Sequence, residues 1–407
     1  MKKLLAILIT AVITLSFTAC GEKNNANEKL PLSTTKQSTI TATEKTTEKE
    51  TEKEKEKFDY SLIPDKMTSE NGKYEIAFVT DVGQLFDKGF NQGTWEGVKR
   101  FAKDKNMSYR YYQPSNGNQA TDDDRYDVMK SAVDSGARMV VCVGALHLQA
   151  VNRTAEEYKD VKFIFVDGDV ANGKDGEDYD VPDNVAVIDF NEEQAGFLAG
   201  YAAVSDGYSK LGFVGGGSGT NPSCNRYAYG YVQGAEAAAE KIGKNVEMKL
   251  SWEYGASFAP SAELQTMLSG WYENGTEIIF CCGGPMCQSA FAAASANEAA
   301  VIGVDVDQSA ESDTVVTSAV KGLREAVMQT LSKAYADKWD EIGGKKTTFG
   351  VKEDAVGLPT ESWSMENFTV EDYRKLYNAL KNGEIKVDRD YENLKEESFG
   401  YVRLSIV

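Results

Sequence analysis

The sequence predicts an α/β fold in which parallel sheets carry helices on both faces, and three observations lead there. From Lys73 onward, short apolar runs alternate with longer stretches of helical periodicity, the strand–helix rhythm of parallel sheets. The runs are apolar on both sides, as in Met139-Val140-Val141-Cys142-Val143, which strands covered on both faces require. About ten such strands fit two sheets of five or six better than one.

In order, Tyr74–Thr80 reads as a strand and Phe86–Lys105 as a helix. Strand Tyr109–Gln113 follows, then helix Asp122–Ser135, opened by capping-type residues. Strand Arg138–Gly144 leads into a helix reaching Tyr158, then strands Lys162–Asp167 and Asn184–Phe190. Helix Glu192–Val204, strand Leu211–Gly215 and helix Arg226–Ile242 continue the pattern. Strand Val246–Trp252, helix Ser261–Tyr272, strand Glu277–Cys282, helix Met286–Ala296 and strand Val301–Asp305 complete it.

The N-terminal part has a different character. Met1-Lys2-Lys3, an apolar run from Leu4 to Phe17, then Thr18-Ala19-Cys20-Gly21 form an export signal too short for a comfortable membrane span. The cysteine after the small-residue site resembles the bacterial lipobox, with Phe17 where Leu is usual. Residues 1–20 are therefore expected to be a lipoprotein signal with Cys20 the lipidated (palmitate-bearing) residue; the alternative is a cleaved signal with an incidental cysteine. Residues 21–57 are almost wholly Thr, Glu, Lys, Asn and Ser and have nothing to bury. They read as the core of a disordered tether over 21–72, residues 21–57 alone reaching roughly 35 Å as a flexible coil.

Apolar residues make up 42% of the 407, enough for real cores. The formal net charge of −19 disfavours nucleic acid and anionic headgroups as partners, since phosphates would be repelled. No apolar stretch after residue 20 is long enough to span a bilayer, so membrane attachment is expected through lipid alone. Beyond Cys20 there are Cys142, Cys224, Cys281, Cys282 and Cys287. Cys281 and Cys282 end the apolar run Ile278-Ile279-Phe280, so buried free thiols are expected ahead of a metal site or a Cys282–Cys287 bridge.

Ligands of open parallel sheets bind at the carboxyl ends of strands. Here those ends are Thr80-Asp81, Gly144, Val166-Asp167, Gly215-Gly216-Gly217, Tyr254-Gly255, Cys282-Gly283-Gly284 and Val304-Asp305. Asp81, Asp167, Asp305 and Asp307 could serve acid–base chemistry, but acceptance of hydrogen bonds from ligand N–H or hydroxyl groups is the better match. The single histidine, His147, is read as a polar pocket wall or helix-cap residue rather than a general base. No G-x-S-x-G elbow is present. The run Gly215-Gly216-Gly217-Ser218-Gly219 lacks the endings of phosphate-binding loops and reads as a tight turn near the pocket. Phe86, Phe90, Tyr227, Tyr229, Tyr231, Tyr254 and Phe258 sit where a planar ligand would enter. Neither a cofactor nor a metal is expected.

Val79-Thr80-Asp81-Val82-Gly83 through Asp87-Lys88-Gly89-Phe90-Asn91-Gln92, with Trp95-Glu96-Gly97, resembles the first motif of the basic-membrane-protein family of substrate-binding lipoproteins. Ala195-Gly196-Phe197-Leu198-Ala199-Gly200-Tyr201, Gly212-Phe213-Val214-Gly215-Gly216 and Arg226-Tyr227-x-x-Gly230-Tyr231-x-x-Gly234 follow in order. Ile302-Gly303-Val304-Asp305-Val306-Asp307-Gln308 and Thr317-Ser318-Ala319-Val320-Lys321 close the set. The resemblance implies a two-lobed periplasmic-binding-protein type I fold, Rossmann-like lobes joined by three crossings and closing over a ligand. Residues 73–190 with 319–355 would form one lobe, and 191–318 with 356–407 the other. It implies an ABC-transporter receptor for a nucleoside, purine above others, with permease and ATPase subunits as partners and a monomer suited to delivery. Phe90 and Tyr227 would stack on the base, Asp81 would accept from its N–H groups, and Asn91 would line the site. Asp305 would hold the ribose hydroxyls, with Lys321 near the sugar or the pocket carboxylates. Asp167 joins this set from its strand-end position. The Gly283-Gly284-Pro285 loop stands where the family is usually richer in Gly and Thr. A nucleoside or glycan hydrolase on a similar scaffold is the alternative; a repressor is excluded because no DNA-binding helix pair precedes the lobes.

Overall fold

A computed structural model of the chain describes residues 58–407 except Gly83 and residues 169–180. Cys20, the expected export signal and the part of the expected tether up to residue 57 lie outside the described residues. The strands and helices run, in order, β1 (Ile76–Val79), α1 (Phe90–Asp104), β2 (Tyr109–Tyr112), α2 (Asp122–Asp134), β3 (Met139–Val143), α3 (Leu148–Glu157), β4 (Lys162–Val166) and β5 (Val185–Phe190). They continue as α4 (Glu192–Asp206), β6 (Lys210–Gly215), α5 (Pro222–Ile242), β7 (Val246–Ser251), α6 (Ala262–Glu273), β8 (Ile278–Cys282), α7 (Cys287–Ala296) and β9 (Ala300–Asp305). The last are β10 (Val315–Lys321), α8 (Leu323–Ala334), β11 (Lys345–Phe349), β12 (Val356–Gly357), α9 (Val370–Lys381) and β13 (Val402–Ile406).

Two sheets result. The first has six strands in the order β11-β5-β4-β3-β1-β2, all parallel. The second has seven, β12-β10-β9-β8-β6-β7-β13, parallel except for the two-residue β12 at its edge. The chain changes sheet three times: between β5 and α4, between β10 and α8, and between β11 and β12. Strand order reverses beside β1 in the first sheet and beside β6 in the second. At such reversals neighbouring loops diverge and leave a crevice at the strands' carboxyl ends. Register sets those ends level, Val79 opposite Cys142 and Gly215 opposite Cys282.

Local chemistry explains the helix starts. Thr121 and Asp124 form a reciprocal capping box at α2. Asn221 accepts from the Cys224 amide at α5, with Pro222 in the first turn. At α1 the capping group is Asp87, which takes the amides of Gly89, Asn91 and Gln92 at 2.9–3.0 Å. The helix therefore starts at Phe90 rather than Phe86, and residues 86–89 form a loop at the cleft.

Helices α4 and α5 pack backbone against backbone. A Cβ on Gly200 would lie 2.1 Å from the Tyr231 carbonyl oxygen, and one on Gly230 would lie 2.0 Å from that of Glu193. Only glycine permits this approach.

Residues 58–72 fold onto the first sheet, in contrast to the tether expected to reach residue 72. Ile63 is buried. Asp65 accepts from the Trp95 indole at 2.9 Å and from Lys99 Nζ at 2.6 Å, and the Tyr109 hydroxyl donates to the Pro64 carbonyl at 2.6 Å. The crossing back to the first lobe also comes later than the expected residue 318, since Ala319–Lys321 belong to strand β10 of the second sheet. No helix among the described residues is long and apolar enough to cross a membrane.

Candidate functional site: the cleft between two sheets

Loops from the carboxyl ends of both sheets line one cleft. The first sheet contributes Asp81, Asp87, Phe90 and Asn91 after β1, Gly144 after β3, and Asp167 after β4. From the second sheet come Ser223, Cys224 and Tyr227 on α5, Phe258 after β7, Cys282 at the end of β8 with Gly283 following it, Asp305 at the end of β9 and Lys321 at the end of β10. Asp167 and Asp305 take left-handed backbones, with φ of 53° and 66°. Aspartate tolerates that conformation better than most residues. Such strain at a strand end is a frequent mark of a functional position. Gly144, at φ 90°, has no alternative, because a Cβ there would lie 2.8 Å from Asp81 Oδ2.

On the first-lobe side, Asn91 Nδ2 bridges two carboxylates, donating to Asp81 Oδ1 at 2.8 Å and Asp87 Oδ2 at 2.9 Å. Burial pushes Asp87 up to about 6 against the amides that favour its charged form. Burial also raises Asp81, against Asn91 and the Val82 amide. Phe90 and Tyr227 adjoin one point of the cleft, with Lys321 Nζ 4.8 Å from one ring centroid and 5.7 Å from the other. The Tyr227 hydroxyl donates to the Ala319 carbonyl at 3.2 Å, so the extra group of tyrosine is used in the wall.

Lys321 is the centre of a buried charge cluster. Its ammonium lies 2.6 Å from Asp167 Oδ2, 3.5 Å from Asp305 Oδ1 and 3.6 Å from Glu192 Oε1. Arg226 extends the cluster to Glu192 at 2.6 Å and Asp189 at 3.0 Å. Arg389 also grips Asp189 and donates to Asn191 Oδ1 at 2.8 Å, at the first crossing. Burial would lower Lys321, but Asp167, Asp305 and Glu192 hold it well above its ordinary value. Burial raises Asp167 and Asp305 more than Lys321 lowers them. For Glu192 burial loses instead to Arg226, Lys321 and Arg389, leaving it at about 2. Asp167, Asp189 and Glu192 lie close enough together to suggest a metal site. Their charge is met by Lys321, Arg226 and Arg389, so the arrangement is an ion-pair network at the hinge. Asp167 lines the same cleft, and its Oδ1 is buried without a hydrogen-bond partner among the described residues.

The family model of ABC transporter substrate-binding proteins described as PnrA-like matches residues 74–390. The chain belongs to that family. It is 29% identical over 339 residues to basic membrane protein D of Borreliella burgdorferi, covering 80% of this chain and 93% of that protein. It is 27% identical over 315 residues to the ABC transporter nucleoside-binding protein BmpA of Lactococcus lactis, covering 72% of this chain and 83% of that one. A solute-binding protein structure from Aeropyrum pernix K1 superposes with a TM-score of 0.59 at 21% identity, covering 79% of this chain and 89% of that one, which establishes the shared fold. The chain is a substrate-binding protein of an ABC transporter.

In this PnrA-like receptor, all seven cleft residues read from the sequence, Asp81, Phe90, Asn91, Asp167, Tyr227, Asp305 and Lys321, line the same space. The other expectations divide. Asp307 turns outward, accepting from Ser362 Oγ at 2.8 Å. His147 holds the cap position before α3, as one of its two readings expected, but its side chain makes no capping hydrogen bond; it is buried outside the cleft lining, with Nε2 2.8 Å from the Thr80 carbonyl oxygen. Phe86 and Tyr254 are largely exposed, Tyr231 packs on Phe280 in the core, and Tyr229 donates to Asp388. The glycine run serves its neighbours: a Cβ on Gly216 would collide with the Phe258 ring at 2.2 Å, so that glycine seats the aromatic in the cleft wall. The five described cysteines are free and buried, with no Cys282–Cys287 bridge. Phe258, read from the sequence among the aromatics of the strand-end loops, does line the cleft, whereas Asp87 and Ser223 were missed. Asp87 lies inside the recognised first motif.

Proposed function

We propose that this receptor captures a nucleoside, with purine nucleosides preferred, and delivers it to ABC permease and ATPase subunits from the outer face of the membrane, held there by a lipid on Cys20. The observation that carries the ligand reading is the joint placement of Phe90 and Tyr227 with carboxylates from both lobes in one cleft. Two aromatic faces suit a planar base, at about 1–3 kcal/mol per stack. Asp81 suits base N–H donors, and Asp305 suits a pair of ribose hydroxyls. The name of the Lactococcus relative supports the same ligand class. The lipid anchor rests on the Thr18-Ala19-Cys20 motif and on the family, and a monomer suits delivery to a membrane partner.

Thermal-shift screening of the purified chain against nucleosides, free bases, sugars and vitamins tests the ligand reading, because a ligand that binds only the folded state raises its melting temperature. Guanosine, inosine or adenosine should give the largest shifts. A shift confined to sugars or vitamins would refute the nucleoside assignment, and conversion of inosine to free base would make the protein a hydrolase. Mass spectrometry of the membrane-extracted protein should show a diacylglyceryl-modified Cys20; an unmodified N-terminus would refute the anchor.

A further inference from the structure

The rim of the cleft carries a contact between the two sheets that involves none of the proposed ligand-binding residues. Gln308 follows β9 in the second lobe and is 2% exposed. Its Oε1 accepts from the Val304 amide at 2.9 Å, and its own amide donates to Ser318 Oγ at 3.0 Å. Because only the side-chain oxygen can accept from Val304, the Nε2 group must point the other way. It donates to the carbonyl of Lys88 at 3.2 Å, across the cleft in the first lobe. Space for this arm is reserved by Gly303, where a Cβ would lie 2.7 Å from Gln308 Oε1. Lys88 takes a left-handed backbone with φ 52° and sits between Asp87 and Phe90. Its ammonium also crosses to Glu311 Oε2 at 2.7 Å.

We infer that Gln308 and Glu311 form a clasp on Lys88 that holds the lobes closed and sets the ligand's residence time. The inference rests on the cleft being the ligand site, but not on which ligand fills it. The clasp meets the backbone of the loop that carries Asp87, Phe90 and Asn91, so it fixes the capping carboxylate and the stacking ring as the lobes meet. Gln308 is rigid before closure, tied by Val304 and Ser318, and loses little freedom on engaging Lys88. Glu311 is 13% exposed and Lys88 59%, so that ion pair is screened by salt and is the weaker half. Contacts made only in the closed state act on dissociation more than on association.

Gln308→Glu keeps the acceptor for Val304 but sets a carboxylate oxygen against the Lys88 carbonyl. Stopped-flow kinetics with guanosine should show dissociation about tenfold faster and association nearly unchanged. Lys88→Glu and Glu311→Lys should each speed dissociation, more at low salt than at high, and the double swap should restore it toward wild type. Small-angle X-ray scattering adds a readout that needs no ligand: Gln308→Glu should have a larger radius of gyration than wild type. Should wild type ignore every nucleoside, the ligand reading fails while the scattering comparison still decides the clasp. Dissociation rates equal to wild type in all variants, or equal radii if no nucleoside binds, would overturn it.

Discussion

On the proposed reading Phe90 and Tyr227 stack on the two faces of the base, so Phe90→Ala and Tyr227→Ala should each weaken purine-nucleoside binding by about 1–3 kcal/mol in calorimetric titration. Wild-type affinity in both would remove the stacking assignment. Asp305→Ala should weaken ribosides more than the matching free bases; equal losses would move Asp305 off the sugar. His147 gives a pH prediction of definite sign. Burial lowers it from 6.5 to about 4, although the Thr80 carbonyl pulls the other way. The fold favours neutral imidazole, so its contribution is complete above 6.5 and is lost as pH falls through 4, worth about 3 kcal/mol. Urea unfolding should therefore show wild type losing more stability than His147→Gln between pH 7 and 4.5, with the opposite trend from Asp87 common to both. Parallel curves would refute it. The carboxylates were legible because strand ends and an acidic residue coincide at Asp81, Asp167 and Asp305. Phe258 was legible as an aromatic of a strand-end loop, but its seat against Gly216 was not, because that contact is made only by folding.

Helices α4 and α5 set Arg226 and Tyr227 in position, and their glycine contacts make that placement fragile. Gly230→Ala should cost about 3 kcal/mol in denaturant unfolding, because the methyl would meet a backbone oxygen on a helix that cannot yield locally. The same variant should weaken ligand binding through Tyr227; unaltered stability would mean that the helices lie farther apart. The spacing Gly196-x-x-x-Gly200 and Gly230-x-x-x-Gly234 is plain in the sequence, but that the two pairs face each other is a tertiary fact. Strands β1 to β9 were legible within a few residues because continuous apolar runs must be covered on both faces. The β11 strand, Lys345-Lys346-Thr347-Thr348-Phe349, was not, since an edge strand paired on one side carries polar residues. The two-residue β12 and the distant β13 owe their existence to pairing with β10 and β7. Residues 58–72 look like the end of a polar segment until Ile63 and Asp65 meet the first lobe.

At the scale of the whole molecule, two lobes bring Asp81, Asp87, Asp167 and Asp305 to one cleft, where the ammonium of Lys321 is already paired with Asp167 and Asp305. Among the described residues, a phosphate entering this space would find no uncommitted cation and several carboxylates. Guanosine monophosphate should therefore bind roughly 100-fold more weakly than guanosine. Comparable affinities would mean that the phosphate stays outside or that the cluster rearranges. The same charge balance makes Lys321 a keystone between hinge and cleft. Its loss would leave Asp167, Asp305 and Glu192 without their shared cation and cost both stability and ligand. The claim on which the rest depends is that this cleft holds a nucleoside unchanged. Calorimetric titration of the whole chain, stripped of co-purified ligand, with guanosine and inosine tests it most directly. The account predicts saturable one-to-one binding, with the intact nucleoside recovered afterwards and binding reduced in Phe90→Ala; absence of binding, or recovery of free base, would contradict it.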